Sequence, residues 1–548
     1  MTGSFWNLLD SASRYRLLVS GHGKQHLLET ASRILSLAGT GGDKGQLLDI
    51  GIDVMLTAWE DSPFDGQLAA NLLNINSRLS FLPDIYKLIM EIVVSNYNIP
   101  ANINYFQKLA AEKDTEKLIS YLEKQLENDS GNFFWLGHYL DITLFAGQFE
   151  TPSILDEMAL PEIMKPVVNK YKGDFAFCSA DFEKSIDIWS DAKRKSIPGQ
   201  TLLRIAEALF RTGKFEEARR IWRERMTTRP WQVNTWLSAY DRIMTPTPEN
   251  SAIEGRIALC LYTYNKADDL EFALKSVAES PLENLKIVAL SNGCTDSTSS
   301  VLSAWKEKLG NRLEIVGLPV NVGAPAARNW LKHHPAIGSC DYVAYLDDDA
   351  VLPENWQGLM ADAIAKYPDA GVWGCKVADF GREEIIQHAD IHLRESFEVK
   401  DNLLQGFSFS YFESFNQDMD YGQYDYCRPC TSVTGCFHLF RRDVLEFSDD
   451  FDLRFSPSQY DDFDHDLSLQ KKGQQVVYNG LLKVLHRRRS GNSVKLSREA
   501  RGAGAGNVMK LEAKYSARTI EEIIENDINN LESDFSEKSV KLASFLDS

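Results

Sequence analysis

Nowhere among these 548 residues is there an apolar run that approaches the roughly eighteen residues of a bilayer-spanning helix. The first stretch, MTGSFWNLLDSASRYRLLVSGHGKQ, also lacks the basic start and continuous apolar segment of a secretory leader. Together these absences predict a soluble cytoplasmic protein, with a peripheral place at the inner face of a membrane as the other option. Positive charge is short too: 59 Lys and Arg face 78 Asp and Glu, a formal net charge of -19. A surface of that sign repels a phosphate backbone, which argues against a nucleic-acid binder and leaves room only for local basic patches. Cysteine is scarce, eight residues in all, and seven of them fall between Cys260 and Cys436, several inside apolar runs. Reduced core thiols fit that placement better than a disulfide framework does. Cys427, Cys430, Cys436 and His438 are the one grouping with a metal-like look. Their spacing matches no common zinc module, and the end of the segment reads as a buried strand.

What the chain does contain divides it in two. At this length more than one core is expected, because single cores stop growing at roughly 250 to 300 residues. From Met1 to about Asp241 the pattern is helical: Pro83 to Val94, Thr115 to Leu126 and Thr201 to Phe210 carry apolar residues at three- and four-residue steps. Within it Phe149-Glu150, Phe182-Glu183 and Phe215-Glu216 recur at a constant step of 33, and Trp189 and Trp222 at the same step. That period predicts stacked helical hairpins, and Ala208, Gly213, Phe215, Ala218 and Pro230 stand in an order that resembles the tetratricopeptide repeat. An irregular helical bundle is the alternative. The polar, proline-punctuated stretch from Met244 to Asn250 marks the boundary.

Beyond it strands and helices alternate. Arg256 to Tyr262, Leu285 to Leu290 and Leu313 to Val316 read as strands, Asp268 to Ala278 and Ala324 to Lys332 as helices, and a further strand ends in Asp347, Asp348 and Asp349. The succession predicts an α/β fold with a mainly parallel, doubly wound sheet. In such sheets ligands collect beyond the carboxyl ends of the strands. Three adjacent carboxylates at that edge repel one another unless a divalent cation neutralises them; a solvated acidic turn is the bland alternative.

Four pieces in order, Thr263-Tyr264-Asn265-Lys266, Asn292 to Asp296, Asn321 to Gly323 with Ala327-Arg328-Asn329, and Asp347 to Asp349, resemble the nucleotide-binding half of a family 2 glycosyltransferase of the GT-A fold. Gly435 to Arg442, Asp461-Asp462-Phe463-Asp464 and Lys483 to His486 continue the likeness, which spans Arg256 to Arg489. The resemblance implies a domain order of 1–245 helical repeat, 254–490 GT-A catalytic domain and 491–548 helical extension. It implies donor contacts from Thr263, Tyr264, Asn265, Asn292, Asn321, Gly323, Arg328, Asp347 and Asp348. A metal, Mn2+ or Mg2+, falls to Asp347, Asp349 and His486, with Asp349 as the direct ligand. Asp462 is the implied base for the acceptor hydroxyl, Asp461 its acidic neighbour and Asp464 the runner-up. Carboxylates and a divalent ion suit this chemistry because cleaving a sugar diphosphate builds negative charge on the leaving group.

Two departures narrow the expectation. Ser291-Asn292 stands where many members have paired acids, so uridine recognition would rest on an amide. The QxxRW motif and membrane spans of processive synthases are also missing, which favours a nonprocessive enzyme acting on a glycan or protein hydroxyl, with a protein partner on the helical repeats as a further option. Between Gly371 and Tyr426, Lys376, Gln387 and His388, with Gly435 beyond, are weaker sugar or acceptor candidates; Phe407, Phe409, Tyr411 and Phe412 could stack on sugars or simply fill the core. Arg487 to Arg489 could clamp a diphosphate or form a solvated basic turn. Gly502 to Gly506 reads as a hinge or loop, and the chain from Thr519 as an acidic helix. The rival functions are an interaction scaffold with an inactive transferase domain and a sugar nucleotidyltransferase. The latter chemistry wants a glycine-rich loop after the first strand, where Thr263 to Lys266 has no glycine.

Overall fold

The first half of the chain is helical because its apolar residues recur at three- and four-residue steps and its turns are capped. Asp65, Asp114 and Asp181 each accept a backbone N–H of the first helical turn. The computed structural model describes residues 4–40, 44–158, 160–191, 198–244, 252–394, 410–488 and 498–547. Thr245 to Asn250, Phe407, Phe409 and Arg489 therefore lie outside the described residues. Two helical hairpins carry the repeat. Lys165–Cys178 pairs with Phe182–Ser190, and Gly199–Arg211 with Phe215–Thr228, so Phe182 and Phe215 both open the second helix of their pair. Phe149 does not share that position; it lies in the turn after the helix Phe133–Phe145. The close packing has a visible cause. A Cβ on Gly173 would come within 2.1 Å of the Trp189 indole nitrogen, which donates to the Lys170 carbonyl at 3.1 Å.

The second half builds one ten-stranded sheet. Its strands are β1 Ile257–Thr263, β2 Leu285–Asn292, β3 Leu313–Leu318, β4 Tyr342–Asp347, β5 Ala350–Val351, β6 Val372–Asp379, β7 Arg382–His388, β8 Cys427–Cys430, β9 Phe437–Arg441 and β10 Val476–His486. The main order is β3-β2-β1-β4-β9-β6-β10-β5, with β7 on β6 and β8 on β10. Parallel pairing holds through β3-β2-β1-β4 and again between β6 and β10, while β9 runs antiparallel to both β4 and β6. The parallel character expected of the sheet thus belongs chiefly to its first four strands.

Successive side chains of a strand point to opposite faces, and here both faces are buried. Ile257, Leu259 and Leu261 of β1 join Ala344 and Leu346 of β4 in one core, beneath the helices Ala267–Ala278 and Trp356–Lys366. Ala258, Cys260, Val343 and Tyr345 face the other way. They belong to a second core that is continuous with Trp59, Phe175 and Trp222 of the helical half and with Leu511, Phe535 and Leu542 near the carboxyl end.

A buried polar knot ties three distant segments together. Asp527 Oδ2 accepts from the Tyr15 hydroxyl at 2.9 Å and the Thr431 hydroxyl at 3.1 Å, and it lies 2.7 Å from His392 Nδ1. Arg428 donates to the carbonyls of Leu18 and Val19 and pairs with Asp390. Removing one member of such a network strands the others without water. Asp527→Ala is expected to cost about 3–5 kcal/mol of stability, read as a lower urea midpoint; an unchanged midpoint would contradict the structural role.

Gly502 to Gly506 is helical, within Arg498–Lys514, so the expected hinge or loop is wrong. Tertiary contacts outweigh the poor helix propensity of glycine. The Asn507 amide donates to the Ser458 and Gln459 carbonyls, and Leu511 is buried. The last helix, Ala517–Asp547, packs its apolar side into the second core.

Candidate functional site

The turns after β1, β2 and β4 meet the loop before β9 and the helix Asp461–Lys471 around one cleft of about 550 Å3, within the usual size of a small-molecule site. Tyr264, Asn292, Asn321, Gly323, Arg328, Asp347, Asp348, Asp349, His388, Gly435, Asp461, Asp462 and His486 all line it. Chain positions more than two hundred residues apart are thus brought to one place by strand order.

One wall is the acidic triplet. Lys266 Nζ lies 2.9 Å from Asp348 Oδ1 and 2.9 Å from Asp349 Oδ2, and His486 Nε2 lies 3.0 Å from Asp349 Oδ1. Burial opposes ionisation of Asp349, yet its bonds to His486 and Lys266 prevail and hold it well below the usual carboxylate range. Asp347 differs: burial outweighs Arg328 and pushes it up to about 6. His486 Nδ1 is 2.9 Å from Gln387 Oε1, which orients the ring with Nε2 toward the acids. Burial works against a charged His486, but the Asp349 carboxylate raises its pKa overall.

The opposite wall is Asp461 and Asp462 at the start of their helix. Asp462 accepts the Gly435 N–H at 2.6 Å and the Phe463 N–H at 2.9 Å. Burial is overcome by Arg328, His438 and these donors, so its pKa is lowered. Asp461 is pushed up to about 6 by burial, against the pull of Arg328. The Arg328 guanidinium stands between the walls, 3.5 Å from Asp461 Oδ2 and 3.9 Å from Asp347 Oδ1. Gly435 is required here by space. A Cβ would meet Arg328 Nη2 at 2.4 Å and Asp462 Oδ2 at 2.7 Å. A displacement of that order costs on the order of 100-fold in catalysis, so Gly435→Ala is expected to lose that much transfer while keeping its circular dichroism spectrum.

Several expected residues are placed elsewhere. Asp464 is buried against the carboxyl-terminal helices, 2.6 Å from Lys514 Nζ and 3.0 Å from the Tyr515 hydroxyl, so it anchors that segment and does not reach the cleft. Lys376 is buried on β6 between Asp420, at 2.7 Å, and Asp425; the ion pairs absorb its charge, and it offers nothing to a ligand in the cleft. Asn265 does not line the cleft: its Oδ1 accepts the Thr295 N–H at 2.7 Å and joins two turns. Thr263 is buried at the end of β1, behind the lining residues. Gln387 acts through His486, while His388 does line the cleft, its pKa lowered to about 4 by burial. Asn292 uses Nδ2 on Asn321 Oδ1 and Oδ1 on the Val322 N–H. Arg487 and Arg488 both donate to Asp269, and of the two Arg488 borders the cleft.

Two side chains matter to which sequence reasoning assigned no role in the cleft. Lys266, the last residue of the first strand-end motif, pairs with two of the three triplet carboxylates. Cys427, Cys430 and His438, the zinc-like grouping in which the sequence placed Cys436, do not line the cleft, whereas Cys436 does. Burial, with Asp347 and Asp349 beside it, pushes its thiol pKa well up.

Residues 259–447 match the family described as "Glycosyl transferase family 2". Solved structures with similar portions include GalNAc-T7 with UDP, GalNAc and Mn2+, at 13% identity over 43% of this chain and 44% of that one, TM-score 0.35. The mannosyltransferase PcManGT from Pyrobaculum calidifontis, in complex with GDP-Man and Mn2+, gives 14% identity over 62% of this chain and 84% of that one, TM-score 0.34. TarS of S. aureus gives 15% identity over 50% and 43%, TM-score 0.33. The chain thus spans less than half of the first and third of these structures. No curated protein matches it in sequence. No helix among the described residues is long and apolar enough to cross a membrane.

Proposed function

We propose, starting from the family 2 glycosyltransferase domain matched at residues 259–447, that the protein moves a sugar from a nucleotide diphosphate donor to an acceptor hydroxyl with inversion. The observation that carries this reading is the pairing of two acidic walls across one cleft. The Asp347 to Asp349 triplet with His486 faces Asp461 and Asp462, and Arg328 lies between.

A divalent ion fits the first wall. Asp347 and Asp349 supply hard oxygen donors, and His486 supplies a ring nitrogen already oriented by Gln387. Such an ion, Mn2+ or Mg2+, supplies Lewis-acid stabilisation of the diphosphate leaving group. The chain's own residues do the rest. Lys266 adds a cation beside Asp348 and Asp349. Asp462, the less buried of the second pair, takes the acceptor proton. Asp461 balances Arg328, and Gly435 fixes Asp462 by its N–H.

Uridine is the proposed base, with the spare lone pair of Asn292 Oδ1 as its acceptor. Residues 254–490 are assigned to catalysis, 491–548 to an extension packed against it, and 1–245, in its tetratricopeptide-like reading, to the acceptor or a protein partner. A thermal-shift screen of nucleotide sugars with Mn2+ tests the reading. A cognate donor near 100 times its Kd should add about 2.7 kcal/mol to the folded state, and UDP-sugars should raise Tm most. No shift with any nucleotide sugar would sink it.

A further inference from the structure

Cys436 is held as firmly as the acids around it. The Asp347 N–H donates to the Cys436 carbonyl at 3.0 Å, directly after the register pair Leu346 and Phe437 that joins β4 to β9. Strand pairing therefore locks this residue beside Asp347 at the cleft floor. A carboxylate oxygen of Asp347, the Cys436 sulfur and a ring nitrogen of His486 all lie within 4.8 Å of one another. Donor atoms around one tetrahedral cation, with bonds of about 2.0–2.3 Å, stand roughly 3–4 Å apart. Modest side-chain rotation closes the difference, and Gln387 already fixes the imidazole.

We propose that Asp347, Cys436 and His486 form a mixed oxygen, sulfur and nitrogen site that takes thiophilic divalent cations, the class of Zn2+, Co2+ and Cd2+, at the floor of the donor cleft. The proposal rests on the reading of the cleft as a metal-binding donor site and adds a choice between metals. Mg2+ takes oxygen ligands and gains nothing from sulfur, whereas zinc-class ions bind thiolate strongly. On binding, the S–H bond breaks, a metal–sulfur bond forms, and the proton leaves to solvent. An ion held this way occupies Asp347 and His486, so it competes with Mn2+ for the cleft and does not add to it.

Titration of the full-length protein with Co2+, followed by near-ultraviolet absorption, tests this without any activity measurement. The expected result is one equivalent bound with a thiolate-to-cobalt charge-transfer band. In Cys436→Ser the band disappears and Co2+ affinity falls by at least about 10-fold, while Mn2+ affinity, measured by calorimetry, changes less than about twofold. Cys436→Ala serves in the same way if the serine variant does not fold. One equivalent of Co2+ bound without the band, or a band that persists in both variants, overturns the role of Cys436 and leaves the metal-dependent transferase reading intact. If neither Co2+ nor Mn2+ binds, with or without UDP, both fall together.

Discussion

Asp462→Asn is expected to leave nucleotide-sugar affinity within about twofold and to lower kcat for transfer by 10²–10⁴-fold, the usual span for loss of a general base. The amide keeps the size of the carboxylate, and its one oxygen can still accept one of the two bonds that Asp462 takes from the Gly435 and Phe463 N–H groups. What it cannot do is take a proton. Asp461 is the internal control. It sits deeper, its charge is tied to Arg328, and burial pushes it up to about 6, so Asp461→Asn should disturb Arg328 and raise KM as well as lower kcat. A fully active Asp462→Asn would move the base to Asp461 and reverse the assignment. Donor binding is followed by calorimetry and transfer by product formation, so the two variants are separated by which quantity moves.

Asp349→Ala should act on the donor and not on the proton. Two side chains converge on this one carboxylate, the Lys266 ammonium at 2.9 Å and the His486 ring at 3.0 Å. Its removal releases both and takes away an oxygen donor for a divalent ion. The Mn2+-dependent gain in UDP affinity is expected to fall by on the order of 100-fold, the upper end of what loss of supporting groups around a metal costs. Affinity measured in chelator should hardly change. If the Mn2+-dependent gain survives in Asp349→Ala, the ion is not held by the triplet. The contrast with Asp462→Asn is the useful part, because one variant loses binding and the other loses turnover.

Much of this arrangement was legible because strand-end chemistry leaves a linear trace. Asp347 to Asp349 and His486 end apolar runs and Arg328 follows the Gly323 turn, and the open α/β sheet gathers such positions along one edge; Gly435 and Asp462 were legible only through the resemblance to the family. Orientation within the later elements left no such trace. Asp461, Asp462 and Asp464 are alike in type, and only the helical turn that begins at Asp461 sends Asp464 to Lys514 while the other two face the cleft. Lys376 stood in the segment expected to shape the sugar pocket; its partners, the buried Asp420 and the half-buried Asp425, lie some fifty residues away in the chain. Gly502 to Gly506 misled for the opposite reason. Local propensity favoured a loop, and contacts at Asn507 and Leu511 made a helix. Cys436 looked metal-like only in company with Cys427, Cys430 and His438, and the pairing of β4 with β9 sets it beside Asp347 instead.

The second core, which runs from Trp59 and Trp222 through Cys260 and Tyr345 to Leu542, also ties the fate of one half of the chain to the other. A cut between the two halves would leave Arg428 without the Leu18 and Val19 carbonyls and Asp527 without the Tyr15 hydroxyl.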